Sequence, residues 1–362
     1  MKIFQLIQKP QLRGAEIFAC QLSEELNKKG HECIVITLFR GESKLPFTGR
    51  IIPMELSKKN RFFDWSGWKK LADLVKKEKP DILQANAGDT LKYAILSKLI
   101  FRWKTQVIFR NASTVSLYIK NPLVKKWNAL LYSMTDYIVS VSRYTRNDFT
   151  DTFPEASGKI SVVPVGIEVS KAAATHRTNN EKKILLHVGG FTFEKNHAGL
   201  VSILKEVVVH RPDVVLWLVG DGPLRNATEN LVNSMNLMEH VKFWGYQSNP
   251  REFFTQADVF LLPSIIEGLP AVILEAFYHS VPVVAYRVGG IAELVRNSET
   301  GFLIEKSKEK DFAVAILSAL EGGPHTATYV ESAHELVVKN YTLEKVASRF
   351  ETIYSMLLRR RL

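Results

Sequence analysis

The strongest constraint on the fold is an alternation of short apolar runs and amphipathic helical patterns that occurs twice along the chain. The first series has strand-like runs at residues 2–8, 31–38, 80–85, 106–110, 136–141 and 159–166. The second series has them at 184–188, 214–219, 241–244, 257–262 and 281–285. Helical patterns such as 17–29 and 197–210 separate the runs, and 310–320, 326–339 and 343–358 follow them. Alternating strands and helices favour parallel, doubly wound sheets, so the sequence predicts two α/β domains.

The predicted boundary between the domains is the polar segment 168–183 (EVSKAAATHRTNNEKK), which has no helical or strand periodicity and is typical of a linker. A chain of 362 residues is long enough to bury two separate cores. We therefore expect an N-terminal domain at 1–167 and a C-terminal domain at 168–342.

The composition indicates a globular protein rather than a membrane-spanning one. Hydrophobic residues make up 46% of the chain and charged residues 23%, and no run approaches the ~18 apolar residues of a membrane span. Residues 1–10 lack the features of a signal peptide. We expect a cytoplasmic protein in which Cys20 and Cys33 are small buried hydrophobic residues.

Positive charge is concentrated in the first half. Residues 1–167 have 27 Lys and Arg against 15 Asp and Glu, or +12, whereas residues 168–362 have 21 against 22, or −1. Aromatic and basic residues mix at 61–70, 98–104 and 123–132, a composition that suits an anionic membrane surface. The alternative is that these aromatics are core residues with a solvated rim of lysines. No motif requires nucleic acid, so none is expected as a partner.

The stretch 263–295 carries two glutamates, Glu267 and Glu275, around a Gly-Leu-Pro turn. The apolar run before it predicts a strand, and Pro270 suits the start of a helix. Parallel sheets bind ligands at such strand-to-helix crevices, where free N–H groups favour phosphate. The N–H donors here belong to Gly268, Leu269 and Ala271. The alternative is that the glutamates are solvated loop and helix-surface charges.

Several motifs, in this order and spacing, resemble the family-4 retaining glycosyltransferases over essentially the whole chain. They are Arg13-Gly14-Ala15-Glu16, the KKGHE step at 28–32, VGGFTFEKN at 188–196, VGDGPLR at 219–225, the pair Glu267 and Glu275, and Gly289-Gly290. The resemblance implies the GT-B fold, in which two Rossmann-like domains with parallel sheets face a central cleft. It also implies that the C-terminal helix, about 343–362, packs back on the first domain.

The resemblance also implies the roles of the candidate residues. Lys195 would contact the donor diphosphate, Glu267 the hydroxyls of the donor sugar, and Glu275 the nucleotide ribose. Backbone donors around Pro270 would help to stabilise the leaving diphosphate. Gly14 would let the N-terminal loop approach the phosphate. No cofactor or metal is expected, because the nucleotide sugar is itself a substrate and no metal-ligand spacing occurs.

The sequence departs from the family pattern at positions near the predicted site. Gly190 stands where the family usually has an arginine, which removes one phosphate cation. Arg13, Arg110 and Arg143 are candidates to replace that charge. Asn111 is a candidate substitute for a histidine that the family often has after the fourth N-terminal strand.

The function expected from this resemblance is the transfer of a sugar, with retention, from a nucleotide-diphosphate sugar to a glycan or lipid-linked acceptor. Such an enzyme would serve the synthesis of a cell-surface polysaccharide or glycolipid, peripherally on the inner face of the membrane. Two alternatives remain open: a nucleotide-sugar epimerase of the same fold, and a non-catalytic nucleotide-sugar-binding subunit.

Overall fold

The structure is a computed structural model that describes residues 1–57, 59, 63–169, 182–247 and 249–360. Most of the predicted linker, residues 170–181, lies outside the described residues, as do Arg61 and Phe62 of the aromatic and basic segment at 61–70. The chain forms two compact units. Unit 1 comprises Met1–Glu168 with Thr342–Leu362, and unit 2 comprises Val169–Tyr341.

Unit 1 contains a seven-stranded sheet. Its strands are β1 (Lys2–Ile7), β2 (Glu32–Phe39), β3 (Arg50–Leu56), β4 (Ile82–Ala85), β5 (Gln106–Asn111), β6 (Tyr137–Ser140) and β7 (Ile160–Val162). They lie in the order β3-β2-β1-β4-β5-β6-β7, and all described pairings are parallel. This is the doubly wound arrangement that the βα alternation predicts.

The described part of unit 1 also contains seven α-helices. They are α1 (Gly14–Lys28), α2 (Trp65–Glu78), α3 (Gly88–Phe101), α4 (Val115–Tyr118), α5 (Pro122–Ser133), α6 (Arg143–Thr152) and α14 (Leu343–Arg359). The last of these begins where Leu343 N–H donates to the carbonyl of Ile167, 2.9 Å away. Phe350 of α14 packs against Phe18 of α1, with ring centroids 6.0 Å apart. Thus the C-terminal helix is part of the unit that contains the N-terminus.

Unit 2 contains a six-stranded parallel sheet in the order β10-β9-β8-β11-β12-β13. Its strands are β8 (Lys183–Val188), β9 (Val214–Val219), β10 (Val241–Gly245), β11 (Val259–Leu262), β12 (Val283–Tyr286) and β13 (Phe302–Ile304). Its helices are α7 (His197–His210), α8 (Arg225–Ser234), α9 (Arg251–Gln256), α10 (Ala271–Tyr278), α11 (Ile291–Leu294), α12 (Glu309–Glu321) and α13 (Pro324–Asn340). The central strands β8, β11 and β12 are almost wholly buried, as expected for a parallel sheet covered on both faces, whereas the edge strands β10 and β13 are partly exposed.

Three elements differ from the sequence-based expectation. The strand β3 was not predicted, because Pro53 interrupts its pattern; Pro53 is tolerated since β3 is an edge strand. The run predicted as a strand at 159–166 forms only the three-residue β7. Residues 123–132, predicted only as an aromatic and basic segment, belong to α5, which Asn121 caps by accepting from the N–H groups of Leu123 and Val124.

Candidate active site

Two loops of unit 2 leave neighbouring strands at their carboxyl ends and are joined side by side. The Lys195 loop, residues 189–196, follows β8, and the Glu267 loop, residues 263–270, follows β11, which pairs with β8. The N–H of Ile265 donates to the carbonyl of Glu194 at 2.8 Å, and the side-chain amide of Asn196 donates to the carbonyl of Pro263 at 3.1 Å. The sheet order therefore brings together two segments that lie about 70 residues apart.

The two loops meet in an ion pair between Lys195 and Glu267. Lys195 Nζ lies 2.6 Å from Glu267 Oε1, and the side chains are 23% and 10% exposed. A pair this shielded is screened less by solvent than a surface pair. An ammonium has three donors, so one contact to Glu267 leaves donors that can reach an oxyanion. The structure thus places two predicted site residues in direct contact.

Gly289 and Gly290 pack against the backbone of the Glu267 loop. The N–H of Gly290 donates to the carbonyl of Gly268 at 2.9 Å. Gly289 has a φ of +54°, and a Cβ at this position would clash with the carbonyl oxygen of Glu267. Only glycine meets both conditions without strain. This gives a structural reason for the Gly289-Gly290 pair in the sequence.

The start of α10 offers the backbone donors that the sequence predicts. Pro270 is the N-cap residue, in an extended conformation, and Ala271 begins the helix. Within the described part of the chain, the N–H groups of Gly268, Leu269 and Ala271 donate to no acceptor. Free donors at a helix start, together with the positive end of the helix dipole, suit a phosphate group.

Glu275 lies one turn further along α10 than Ala271, so the two residues share a face of the helix. The residue is half-buried, and burial raises the pKa of its carboxyl group to about 7, while the charge of Arg251 on α9 opposes the rise. No hydrogen bond from the described residues reaches this carboxyl group. Glu267 and Glu275 therefore have different environments: one is paired with a cation, and the other is desolvated.

Gly190 lies where the Lys195 loop contacts the turn after β9. The N–H of Phe191 donates to the carbonyl of Asp221 at 3.1 Å, and a Cβ on Gly190 would lie 3.4 Å from the same oxygen, an ordinary contact. The backbone therefore does not require glycine here. Arg225, to which the sequence assigned no role, binds Asp221 at 3.2 Å and Glu229 at 2.8 Å. Arg225 lies in the VGDGPLR motif, and this motif is the sequence feature that could have indicated a role for it.

Two buried histidines lie beneath the Lys195 loop. The rings of His187 and His197 are 4.8 Å apart, and His197 stacks on Phe191 at 4.0 Å. Burial lowers the pKa of His187 to about 4 and that of His197 to about 2, so both are neutral near pH 7. His187 Nδ1 donates to the carbonyl of Leu261, 2.9 Å away. These histidines support the loop without adding charge, and the sequence assigned them no role.

The other candidates belong to unit 1. Arg13 is the N-cap residue of α1, without a side-chain capping bond, and Gly14 begins the helix. Asn111 is buried, and its amide donates to Ser140 Oγ at 3.3 Å and to a backbone carbonyl. Arg143 is exposed at the start of α6, and Arg110 is 2% exposed. These four candidates and Gly14 are therefore spread over three elements of unit 1: the start of α1, the end of β5 and the start of α6.

Across the described ranges of the chain, no three His, Cys, Asp or Glu side chains come together as metal ligands would. Positive groups at the candidate site include the Lys195 ammonium and the start of α10.

Comparison with known proteins identifies the family. The model of Glycosyltransferase Family 4 matches residues 12–171, and that of Glycosyl transferases group 1 matches residues 169–336. The Escherichia coli UDP-Gal:alpha-D-GlcNAc-diphosphoundecaprenol alpha-1,3-galactosyltransferase is 30% identical over 268 residues, which are 68% of each chain. This chain is a family-4 glycosyltransferase. The prediction of a transferase is thereby confirmed, and the epimerase and non-catalytic alternatives are not favoured.

Other relatives of this family-4 glycosyltransferase match it over nearly its whole length. The N-acetyl-alpha-D-glucosaminyl L-malate synthase of Bacillus anthracis is 26% identical and covers 97% of this chain and 96% of its own. The Anabaena protein HepE, solved with UDP-glucose, has a TM-score of 0.83 at 18% identity, covering 98% of this chain and 100% of its own. The structural likeness confirms the predicted GT-B fold.

Proposed function

We propose that this family-4 glycosyltransferase moves a sugar, with retention, from a nucleoside diphosphate sugar to a glycan or lipid-linked acceptor. The observation that carries the proposal is the contact between Lys195 and Glu267, which joins a cation for the leaving diphosphate to an acceptor for sugar hydroxyls. The Bacillus anthracis relative is named as a synthase of N-acetyl-glucosaminyl L-malate, the Escherichia coli relative as a galactosyltransferase from UDP-Gal to a diphosphoundecaprenol-linked sugar, and HepE was solved with UDP-glucose. A product in cell-surface polysaccharide or glycolipid synthesis fits the lipid-linked acceptor of the Escherichia coli relative.

The proposed reaction breaks the bond between the anomeric carbon and the diphosphate oxygen. Negative charge grows on the diphosphate, where Lys195 and the free N–H groups at the start of α10 stabilise it. The acceptor hydroxyl attacks from the same face of the sugar, and its proton passes to the departing phosphate oxygen. Glu267 holds sugar hydroxyls and Glu275 holds the ribose, so each carboxylate orients a different part of the donor.

A screen of nucleoside diphosphates by thermal unfolding tests the donor part of the proposal. UDP is the expected ligand, since HepE was also solved with UDP, and saturation to about 100 times its Kd should stabilise the protein by about 2.7 kcal/mol. GDP and ADP serve as the matched comparison. Equal stabilisation by all three nucleotides, or by none, would count against a UDP-sugar donor.

Product analysis tests the reaction itself. With a UDP-sugar and a lipid-linked acceptor, we expect a glycosylated acceptor whose new linkage has the anomeric configuration of the donor, measured by NMR. A changed nucleotide sugar formed without acceptor would indicate an epimerase. Tight UDP binding with neither transfer nor donor hydrolysis would indicate a non-catalytic subunit.

The proposed acceptor side includes contact with an anionic membrane. We call residues 115–133 the α4–α5 surface; it has three lysines and no Asp or Glu. Leu123, Trp127 and Leu130 recur at helical spacing on α5 and are 76%, 41% and 46% exposed. Lys125 and Lys126 are exposed beside them. Exposed apolar side chains flanked by lysines suit the interface of an anionic bilayer. We place this contact on the inner face of the membrane.

No helix in the described ranges combines the length and apolar character that crossing a membrane requires. A peripheral contact can be measured by sedimentation with vesicles that contain phosphatidylglycerol. The double variant Leu123→Ser, Trp127→Ser should lose binding by about tenfold or more, because each apolar side chain contributes about 1.5–3 kcal/mol when buried. Val209→Ser, which removes a side chain 74% exposed in unit 2, is the matched control. Equal vesicle binding by the double variant and the control would contradict this surface.

A further inference from the structure

Two helices of unit 2 pack side by side and run in the same direction. The helix α9 connects β10 to β11, and α10 connects β11 to β12. Because these strands are parallel members of one sheet, each connecting helix runs antiparallel to them, so α9 and α10 are parallel to each other. The ring of Phe254 of α9 stacks on that of His279, the C-cap residue of α10, with centroids 6.0 Å apart. This contact sets the register of the two helices.

The register of the two helices places Arg251 beside Glu275. Arg251 lies three residues before Phe254, and Glu275 lies four residues before His279. Each is therefore one turn back on the helix face that carries the stacked ring, and in parallel helices these two positions lie at the same level. Both residues are half-buried. The proximity is also electrostatic, since the charge of Arg251 opposes the rise in the pKa of Glu275 that burial causes.

Two histidines lie near the same helix, and neither is placed as a counter-charge for Glu275. Burial lowers the pKa of His279, as do the charges of Arg251 and His334, so its ring is neutral near pH 7. His334 of α13 contacts Tyr278 instead: its Nδ1 donates to the tyrosine carbonyl at 2.8 Å, and its ring stacks on the tyrosine ring at 5.5 Å. Arg251 is therefore the positive group that the packing of the described helices sets beside this carboxyl group.

We propose that Arg251 is a positioning residue for donor binding, whose guanidinium keeps the Glu275 carboxylate charged so that it accepts hydrogen bonds from the ribose. A carboxylate accepts at both oxygens, whereas a protonated carboxyl group carries an O–H donor and accepts more weakly. Burial alone favours the protonated form, and a neighbouring cation favours the charged one. The ribose role of Glu275 rests on the proposed function, whereas the coupling between Arg251 and Glu275 does not.

The pH dependence of UDP binding, measured by calorimetry on the full chain, tests the proposal. At pH 7 the UDP affinity of Arg251→Gln should be about threefold to fivefold below that of the parent. At pH 8.5 the two affinities should agree within about twofold, because the carboxyl group then ionises even without the cation. Ionisation of the UDP phosphates is common to both proteins and cancels in this ratio. A loss of affinity by the same factor at both pH values would show a merely structural role and would overturn the proposal.

Two variants control for packing and for the loss of one positive charge. Arg251→Lys keeps the charge and should bind UDP within about twofold of the parent at pH 7. Arg211→Gln removes an arginine that pairs with Asp213 at 2.8 Å just before β9, at the opposite edge of the sheet from the Lys195 and Glu267 loops. It should leave the affinity unchanged. A loss in Arg211→Gln equal to that in Arg251→Gln would overturn the proposal, because net charge alone would then explain the effect.

A double substitution tests whether Arg251 acts through Glu275. In a chain that carries Glu275→Gln, which has no carboxylate to hold, adding Arg251→Gln should leave the UDP affinity at pH 7 unchanged. A further loss comparable to that in the single variant would overturn the proposal, since Arg251 would then act by another route.

Urea unfolding without ligand distinguishes this inference from the proposed function. Glu275→Gln should gain stability over its parent as the pH rises through about 7, and in the Arg251→Gln background this gain should continue to a higher pH. An unchanged pH range would overturn the coupling of the two residues. The expected shift, found together with equal UDP affinity in Glu275→Gln and the parent, would support the coupling and refute the ribose role in the proposed function.

Discussion

At the scale of single residues, the ammonium of Lys195 already has a counter-ion before any donor binds. Glu267, 2.6 Å away, neutralises the cation that the proposed mechanism uses for the diphosphate. A phosphate that approaches this lysine must therefore share it with a carboxylate and meets the negative charge of that carboxylate. Donor binding and the ion pair are in competition, and this competition can be measured.

Glu267→Gln should separate nucleotide binding from transfer. With the carboxylate gone, the affinity for UDP should rise about threefold to tenfold, because Lys195 is released and one repulsion is removed. The transfer rate should fall about 100-fold or more, since the oriented contact to the sugar hydroxyls is lost. Calorimetry and steady-state kinetics give the two values.

The matched control for that variant is Glu194→Gln, which removes a carboxylate from the neighbouring Lys195 loop. It alters the local charge equally but keeps the ion pair, so its transfer rate should stay within about twofold of the parent. A fall in UDP affinity in Glu267→Gln would show that the glutamate supports the lysine rather than competing with phosphate.

Glu275 should make stability depend on pH. Its folded pKa of about 7 exceeds its ordinary value of 4.5, so the folded state holds this proton more tightly than the unfolded state. Stability from this group is complete below pH 4.5 and is lost as the pH rises to about 7. The variant Glu275→Gln cannot ionise. It should match the parent near pH 4.5 and exceed it at pH 8 by up to about 3 kcal/mol.

Urea unfolding between pH 4.5 and 8 measures this difference, with Glu331→Gln on the exposed face of α13 as a control for the loss of one carboxylate. A gap between parent and Glu275→Gln that stays constant with pH would contradict a desolvated Glu275.

The sequence predicts which site residues lie close together where their proximity follows from the order of strands in the sheet. Lys195 and Glu267 each follow a strand, and adjacent parallel strands bring such residues to one edge. Whether they form an ion pair was not predictable, because it depends on loop conformations that Asn196, Gly289 and Gly290 determine through tertiary contacts. The burial of Arg110 and the lack of hydrogen-bond partners for its Nε and Nη1 among the described residues were not predictable either, because both depend on how the whole unit packs.

At the scale of elements, two glycines that look alike in the sequence should respond differently to alanine. Gly289→Ala forces a Cβ against the carbonyl of Glu267 at positive φ, so it should destabilise unit 2 by about 2 kcal/mol or more and displace the Glu267 loop. Gly14→Ala meets nothing within 4 Å in the first turn of α1. It should leave stability unchanged or raise it by about 0.5–1 kcal/mol.

The transfer activity of Gly14→Ala tests whether Gly14 belongs to the site. If the loop approaches phosphate, as family resemblance implies, the added methyl group should lower transfer about tenfold in a protein of normal stability. Thermal unfolding and kinetics on both glycine variants provide the test. Full activity in Gly14→Ala would remove Gly14 from the site.

Elements with a strong periodic pattern were predictable almost to the residue, as for α7 at His197–His210. The exceptions have physical reasons. Pro53 interrupts the strand pattern of β3, so β3 was not predicted. Because β3 lies at the edge of the sheet, the backbone N–H that proline lacks is not needed there. The helix α5 exposes apolar side chains at Leu123, Trp127 and Leu130, so its pattern does not separate a buried face from a solvated one.

At the scale of the whole molecule, the two units should unfold as distinguishable transitions, one of which responds to nucleotide. Tyr354→Phe removes the hydroxyl that bonds Gln84 and Gln5 and leaves buried amides of unit 1 unsatisfied. It should destabilise unit 1 by about 1–3 kcal/mol. In calorimetry, UDP should raise only the transition of unit 2, and Tyr354→Phe should lower only the other one. A lower transition for unit 2 in this variant would contradict the assignment.

The overall architecture was predictable because βα alternation permits few arrangements, and the relatives and structural likeness confirm the GT-B fold. Thr342–Leu362 belongs to unit 1. This was expected from the family resemblance and could not be predicted from the periodicity of the sequence. The apolar pattern of a helix such as α14 predicts which of its faces is buried, but it does not predict which sheet that face packs against.

The division of unit 1 between the two ends of the sequence has a consequence for synthesis on the ribosome. Domains generally fold in the order in which they are made. Here the whole of Val169–Tyr341 is translated before α14, which carries Phe350 and Tyr354 into unit 1. The nascent chain therefore completes its second unit first, because the buried amides of Gln84 and Gln5 bond to a hydroxyl that is encoded 270 and 349 codons after them.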